Sequence, residues 1–569
     1  MTSNSPILDE LEQIKADSRL LRGSLHIGLE DPVTGGIHLA DTGLVKFHGI
    51  YQQDDRDLRA ERRRARLEPD YSFMVRVRIP GGRLSPAQWL KLDELARERS
   101  NGTLRLTTRQ AIQFHGVVKD ELRPLIRGLE AVQLDSLAAC GDVNRNVMCT
   151  PNPHFSGLHL KVHQWAVKLA ERLLPRTGAY REIWLDGKVG DGHGEVEPLY
   201  GSTYLPRKFK AAVVIPPEND VDVLAHDLGF IAIGDGDRLE GFNLTAGGGM
   251  GMSFDHADTF PRLADVIGFF TPAEALEAAE AVVSIQRDFG NRSNRKRARL
   301  KYTIEERGLD WFRSELAWRM GSEPASPRPF AFTHNGDRYG WIEGDHNRWH
   351  LTVFVENGRL RRAQLEVLRE LAGQHQGEFR LTPNQNLIVA NVTDSGRAPV
   401  DAAIRAAGLD RHHDATGLRL HAMACVALPT CPLAMAESER YLPGLIDRID
   451  ALLIRHQLET EPITLRMTGC PNGCARPYVA EIGLVGKAPG RYNLYLGGTA
   501  DGGRLNRLYR ENLDEAGILE VLDALLGRYA QGRQAGERFG DYLIRAAIIE
   551  PVAHGLEVRV IGEAAHVAA

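Results

Sequence analysis

The strongest constraint on the fold of this 569-residue chain is that its sequence repeats. Gly82-Arg-Leu-x-x-Ala-Gln-x-x-x-Leu-x-Glu-Leu-Ala96 recurs as Gly358-Arg-Leu-x-x-Ala-Gln-x-x-x-Leu-x-Glu-Leu-Ala372, and Leu104-Arg-Leu-Thr-x-x-Gln110 recurs as Phe379-Arg-Leu-Thr-x-x-Gln385. Each copy reads as a strand (Met74 to Ile79; His350 to Val355), a turn at glycine, an amphipathic helix and a second strand (Thr107 to Val117; Pro383 to Val392). Two such units bury their apolar faces most simply against each other, so the prediction is an α+β fold, internally duplicated about a pseudo-twofold axis. The echo runs on. Gly241-Phe-Asn-Leu-Thr-Ala-Gly-Gly-Gly249 matches Arg491-Tyr-Asn-Leu-Tyr-Leu-Gly-Gly498, and Lys208-Phe-Lys-Ala-Ala-Val-Val-Ile215 takes the place of Met467 to Val485. Duplication then covers nearly everything after an N-terminal arm.

With 43% hydrophobic and 25% charged residues, the chain can bury several cores, and no apolar run approaches the length of a bilayer span. A formal charge of -5 argues against a general binder of nucleic acid or anionic membrane, so any positive site is local. The run Asp54-Asp-Arg-Asp-Leu-Arg-Ala-Glu-Arg-Arg-Arg-Ala-Arg66 alternates signs without aromatics and reads as a solvated helix or arm. The opening Met1-Thr-Ser-Asn-Ser-Pro lacks a basic then apolar leader, which leads us to expect a cytoplasmic protein.

Four of the six cysteines carry chemistry: Cys425 and Cys431 as C-x5-C, Cys470 and Cys474 as C-x3-C, both pairs flanked by Pro and Gly. Four thiolates from two tight loops suit one [4Fe-4S] cubane, in which each iron takes one soft sulfur ligand. Structural zinc draws on tighter knuckles than a five-residue gap, disulfides need an oxidising compartment, and four unrelated buried thiols are the remaining reading. Cys140 and Cys149 have no paired spacing and read as small buried hydrophobes.

The first half lacks the paired cysteines but gathers cations. If a strand runs through Arg109 to His115, then Arg109, Gln113 and His115 share one face; the second copy has Asn384, Ile388 and Ala390 there. Arg76, Arg78, Asn144, Arg145, Lys208 and Lys210 add to this set, which could line a cavity for a ligand with many carboxylates and for a small anionic substrate. Gly247 to Gly249 reads as a tight turn, not a dinucleotide loop, because position 252 is Met where the motif needs Gly. Without a flavin or nicotinamide site, electrons must come from a separate protein.

The cysteine loops Cys425-Val-Ala-Leu-Pro-Thr-Cys-Pro-Leu-Ala-Met-Ala-Glu437 and Thr468-Gly-Cys-Pro-Asn-Gly-Cys474, with Phe47-His-Gly-Ile-Tyr-Gln-Gln-Asp-Asp-Arg-Asp57 and Thr203-Tyr-Leu-Pro-Arg-Lys-Phe-Lys210, closely resemble the sirohaem and [4Fe-4S] sulfite and nitrite reductases over essentially the full length. The resemblance implies a three-domain plan: an N-terminal arm (1–70); a ferredoxin-like half-module (71–137) pairing with a second (338–410); a sirohaem- and substrate-binding α+β domain (138–337); and a domain holding the cluster and sirohaem (411–569). It implies that Cys425, Cys431, Cys470 and Cys474 bind the cluster and that Cys474 is also the axial ligand of the sirohaem iron. Arg78, Arg145, Lys208 and Lys210 would hold sulfite and supply protons. Arg105, Arg109, Gln113, His115 and Asn144 would meet the sirohaem carboxylates or support the pocket, with the basic residues of Asn291-Arg-Ser-Asn-Arg-Lys-Arg-Ala-Arg-Leu-Lys301, Lys301 among them, as further candidates; Asn472 lies beside the axial cysteine.

The implied activity is reduction of sulfite to sulfide in sulfate assimilation and cysteine biosynthesis. The implied partner is a flavoprotein (alpha) subunit carrying FAD and FMN and using NADPH. No side chain supplies electrons, so a metal cofactor must. A ferredoxin-dependent sulfite or nitrite reductase is the alternative, and a non-catalytic iron-sulfur protein the more distant one; the latter predicts loss of the distal cations, which are present.

Overall fold

The computed structural model describes residues 8–151 and 156–562. The opening segment read for a leader, Met1 to Pro6, lies outside the described residues. Four five-stranded sheets carry the fold, and they form two pairs.

In the first pair, one sheet runs Ile50–Asp54, Tyr71–Val77, Ile112–Val117, Leu104–Leu106, Arg359–Leu360; its twin runs Gly340–Gly344, Arg348–Val353, Leu387–Val392, Glu378–Leu381, Arg83–Leu84. The last strand of each sheet comes from the other copy. Leu360 pairs with Leu104, and Leu84 with Phe379. This exchange explains the repeated Gly-Arg-Leu. A Cβ on Gly82 would sit 2.6 Å from Leu381 O, and one on Gly358 would sit 2.3 Å from Leu106 O, so only glycine admits the crossing backbone. Trp89, on the helix Pro86–Arg99, stacks on Phe379 across the pair at 4.9 Å between ring centroids.

In the second repeated motif, Leu106 and Leu381 end the strands Leu104–Leu106 and Glu378–Leu381, and the Thr-x-x-Gln that follows is a turn. Thr107 Oγ1 accepts from the N–H groups of Arg109 and Ala111, both at 3.2 Å, and Thr382 Oγ1 does the same for Asn384 (3.2 Å) and Asn386 (3.1 Å). Gln110 and Gln385 take left-handed φ values of 49° and 72°. The expected strand from Thr107 therefore begins only at Ile112, and Arg109 stands on the turn and not on a strand face with Gln113 and His115. The arm is integral to this pair: Ile50–Asp54 is the edge strand beside Tyr71–Val77.

The second pair of sheets shares one topology. Met148–Cys149, Ala211–Val214 and Leu228–Asp235 run parallel, then Arg238–Ala246 and Asp265–Phe270 return antiparallel. Ala422–Ala424, Leu465–Thr468, Ile482–Ala488, Arg491–Leu496 and Arg507–Leu513 repeat that pattern. At Gly248, in the glycine run after the fourth strand, a Cβ would lie 2.2 Å from Leu224 O, as a tight turn requires. Among the described residues no helix is long and apolar enough to cross a membrane.

A buried ion cluster joins these sheets. Asp222 accepts from Arg466 Nη1 at 2.6 Å, Arg476 Nε at 2.5 Å and Asn335 Nδ2 at 2.7 Å. Burial works to raise the Asp222 carboxyl, but the two guanidinium groups override it and hold it well below the usual carboxylate range. Replacing Asp222 with Ala leaves two buried cations uncompensated and should cost about 3–5 kcal/mol in urea unfolding. Because the folded-state pKa is depressed, this contribution is present above the unfolded carboxylate value and lost as pH falls below about 4, so wild type and variant should converge in acid.

Candidate active site

Both cysteine loops leave the same end of adjacent parallel strands. Ala422–Ala424 delivers Cys425, and Leu465–Thr468, paired with it in register Ala424 to Met467, delivers Cys470 and Cys474. The loops then lock together: Met435 and Ala436 donate to Gly469 O at 2.7 and 3.0 Å, and Gly469 N–H donates to Cys425 Sγ at 3.3 Å. A Cβ on Gly469 would meet Ala427 Cβ and Ala436 O, both at 2.5 Å, so the approach of the loops needs that glycine.

All four are free thiols, with Cys474 exposed. Burial, then the neighbouring Cys474, pushes the other three up, Cys470 to about 11. Burial thus favours the protonated thiol, and a metal that binds such a sulfur would displace its proton. Among the described residues no three His, Cys, Asp or Glu side chains are arranged to share a single ion. A zinc ion would need its donors about 2.3 Å from one centre, whereas a cubane spreads four thiolates around four irons. The donor set fits the cluster.

Opposite these loops stands the cationic wall of the first half. Phe209 is fully buried; its N–H donates to Val143 O at 3.0 Å and its carbonyl accepts from Arg145 N–H at 2.9 Å, which ties Lys208 and Lys210 to Asn144 and Arg145. Burial and then Arg207 lower the Lys208 ammonium to about 7, and burial and then Lys208 push Lys210 well below its ordinary value. Burial and then Arg476 bring Arg109 down to about 9. Arg109 Nε and Asn144 Oδ1 are buried without a hydrogen-bond partner. Crowded, desolvated cations with an unused donor among them fit a polyanionic cofactor, as the eight carboxylates of sirohaem provide.

A cavity of about 200 Å³ opens at this seam, lined by Arg207, Lys208 and Arg299 from the first half and by Met435, Cys470 and Asn472 from the second. Asn472 Nδ2 lies 3.5 Å from Cys470 Sγ. A larger groove of about 660 Å³ beside Arg172 and Trp318 contains none of the predicted site residues.

Other predicted residues already have partners within the protein. Arg78 makes a fork to Asp135 at 3.0 and 2.5 Å. Arg105 pairs with Glu439 at 2.6 Å. Lys301 Nζ donates to Gly249 O at 3.0 Å, Gly251 O at 2.7 Å and Phe260 O, holding the glycine turn. With its amide turned to satisfy its neighbours, Gln113 accepts from Arg76 at 3.2 and 2.6 Å. Burial and then Arg359 keep His115 neutral. Cys140 and Cys149 are fully buried, and Cys140 Sγ accepts from Arg76 Nη1 at 3.0 Å. Arg299, from the basic run 291–301, lines the cavity; sequence reasoning gave no role to Arg56 or Asp222, whose partners lie far along the chain.

The chain is similar to known proteins over nearly its full length. Residues 165–323 match the nitrite and sulphite reductase 4Fe-4S domain, and residues 66–132 and 342–407 each match the nitrite/sulfite reductase ferredoxin-like half domain. The chain belongs to the nitrite and sulfite reductase family. It is 60% identical over 543 residues to the sulfite reductase [NADPH] hemoprotein beta-component of Myxococcus xanthus, covering 95% of this chain and 96% of that one. It is 56% identical to the protein of the same name from Thiocapsa roseopersicina, covering 97% and 99%. Among solved structures it resembles Mycobacterium tuberculosis NirA, with a TM-score of 0.78 at 26% identity and 98% of each chain covered. The 165–323 match falls in the half without the cysteine quartet.

On the metal-free chain, a thiol reagent followed by mass spectrometry should label exposed Cys474 first. Cys140 and Cys149 should stay unlabelled until the chain is denatured.

Proposed function

We propose that this chain reduces sulfite to sulfide at the seam, holding a [4Fe-4S] cluster on Cys425, Cys431, Cys470 and Cys474 and a sirohaem whose iron takes Cys474 as axial ligand. The observation that carries the reading is that Lys208 and Arg207 face Cys470 and Asn472 across one cavity, with the Cys425–Cys431 loop locked to the Cys470 loop through Gly469. Those two cofactors, when bound, would pass to sulfite the six electrons that a separate donor supplies. The chain's own residues do the rest. Arg145, Lys208 and Lys210 offset the charge of sulfite, and Arg78, oriented by Asp135, completes the set. Lys208, lowered by burial and then Arg207, and Lys210, lowered by burial and then Lys208, are good proton donors to oxygen leaving as water. Arg109, Asn144 and Asn472 face the cofactor, with Arg105, Gln113, His115 and Lys301 supporting them.

We infer further that the working units follow the four sheets, with 71–137 and 338–410 as the paired half-modules, 138–337 as the substrate side and 411–569 as the cluster side. The electron donor in this reading is a flavoprotein subunit oxidising NADPH, and the compartment is the cytoplasm; the name of the Myxococcus xanthus relative supports the NADPH and a partner component.

The visible spectrum and iron content of the purified protein test the cofactors; a missing haem-like band overturns the enzyme reading. Assays with the NADPH flavoprotein and with reduced ferredoxin decide the donor. Lys208→Met and Arg145→Ala should keep cofactor absorbance and lose sulfite turnover by about 10²-fold or more. Wild-type turnover in either loaded variant removes that residue from the mechanism. Because Lys208 must be protonated to donate, kcat/KM should fall as pH rises above about 7, or somewhat higher once bound anions raise its pKa. Lys208→Arg should remove this limb and leave only the ionisation of sulfite itself.

A further inference from the structure

Each cysteine-bearing stretch has a carbonyl held by a donor from outside residues 411–569. Arg105 Nη2 reaches Ala424 O, next to Cys425, at 2.9 Å, and Met252 N–H reaches Pro471 O, next to Cys470, at 3.0 Å. Thr108 Oγ1 reaches Cys474 O at 3.1 Å. The fourth donor is Arg56 of the N-terminal arm, whose Nη1 donates both to Cys431 O at 3.1 Å and to Ala434 O at 2.6 Å. Its backbone N–H adds a bond to Pro429 O at 3.3 Å.

Arg56 differs from the arginines around it. Arg59 pairs with Asp54, and Arg62 with Asp70, but among the described residues no carboxylate pairs with Arg56. A guanidinium held on two carbonyls without a counter-charge brings a full positive charge to the loop.

We propose that Arg56 is a positioning residue for the Cys431 loop, fixing its shape through two carbonyls and raising the reduction potential of the iron-sulfur centre held there. The effect on potential rests on the function proposed above; the clamp on the loop does not. Added positive charge favours the more negative, reduced state of a cluster.

The test uses full-length holoprotein carrying Arg56→Gln or Arg56→Lys, with Thr108→Val for comparison. Hydrogen exchange at the amides of Ala434 and Met435, which donate to Cys431 O at 3.2 Å and Gly469 O at 2.7 Å, reports the clamp. Redox titration followed by electron paramagnetic resonance reports the charge. Arg56→Gln should speed exchange at these amides about tenfold or more and lower the midpoint potential. Arg56→Lys should keep the potential near wild type while the amides still exchange faster, since an ammonium lacks the planar fork. Thr108→Val, which removes a donor from the Cys474 carbonyl, should leave these two amides exchanging as in wild type. Wild-type exchange and potential in Arg56→Gln overturn the proposal. If Arg56→Gln does not fold, wild-type exchange in Arg56→Lys overturns it instead. A wild-type protein without an iron-sulfur centre would refute the functional reading, and the exchange measurement would still decide the clamp.

Discussion

Two backbone crossings hold this molecule in register. At Gly82 and Gly358 the chain passes so close to a carbonyl of the opposite copy that a single methyl would prevent it, and each crossing delivers a two-residue strand that completes the other copy's sheet. Neither half-module has a complete sheet alone. The pairing therefore fixes the orientation of everything that follows each module in sequence, including both sheets that build the site.

That orientation brings together groups that elsewhere would be costly to bury. Lys208, Lys210, Arg109 and Arg145 crowd one wall with few carboxylates to neutralise them, and three of the cysteines on the opposite side are thiols that burial disfavours ionising. Each wall is poorly solvated by itself. Cations facing a carboxylated ligand and thiols facing iron become compatible only when both ligands are present, so the electrostatics of the protein favour the loaded state. Asp222, satisfied by Arg466 and Arg476, shows what a compensated buried charge looks like in the same region.

Much of this was legible in the sequence because it depended on short-range spacing. The repeat gave the duplicated α+β plan, C-x5-C and C-x3-C picked out two loops that the structure locks together, and Lys208-Phe-Lys210 gave paired cations set off by a buried aromatic. The errors arose where a local motif had two physical readings. Leu-Thr-x-x-Gln looks like a strand start, but the threonine hydroxyl closes a turn, which moves Arg109 off the strand. The exchanged strands were too short to give a periodic signal, and Arg56 is 375 residues from the carbonyl it holds. Contacts of that range leave no trace in one sequence.

The two sheets with shared topology also show how duplicated loops diverge. The loop that follows the second strand carries Cys470 and Cys474 in one copy; in the other, the same position runs through Glu218 to Asp222 and ends on the carboxylate that grips Arg466 and Arg476. Arg476 lies two residues beyond Cys474. One descendant of the ancestral loop thus anchors the other, and a change in the acidic loop would be felt at the cysteines through a single arginine.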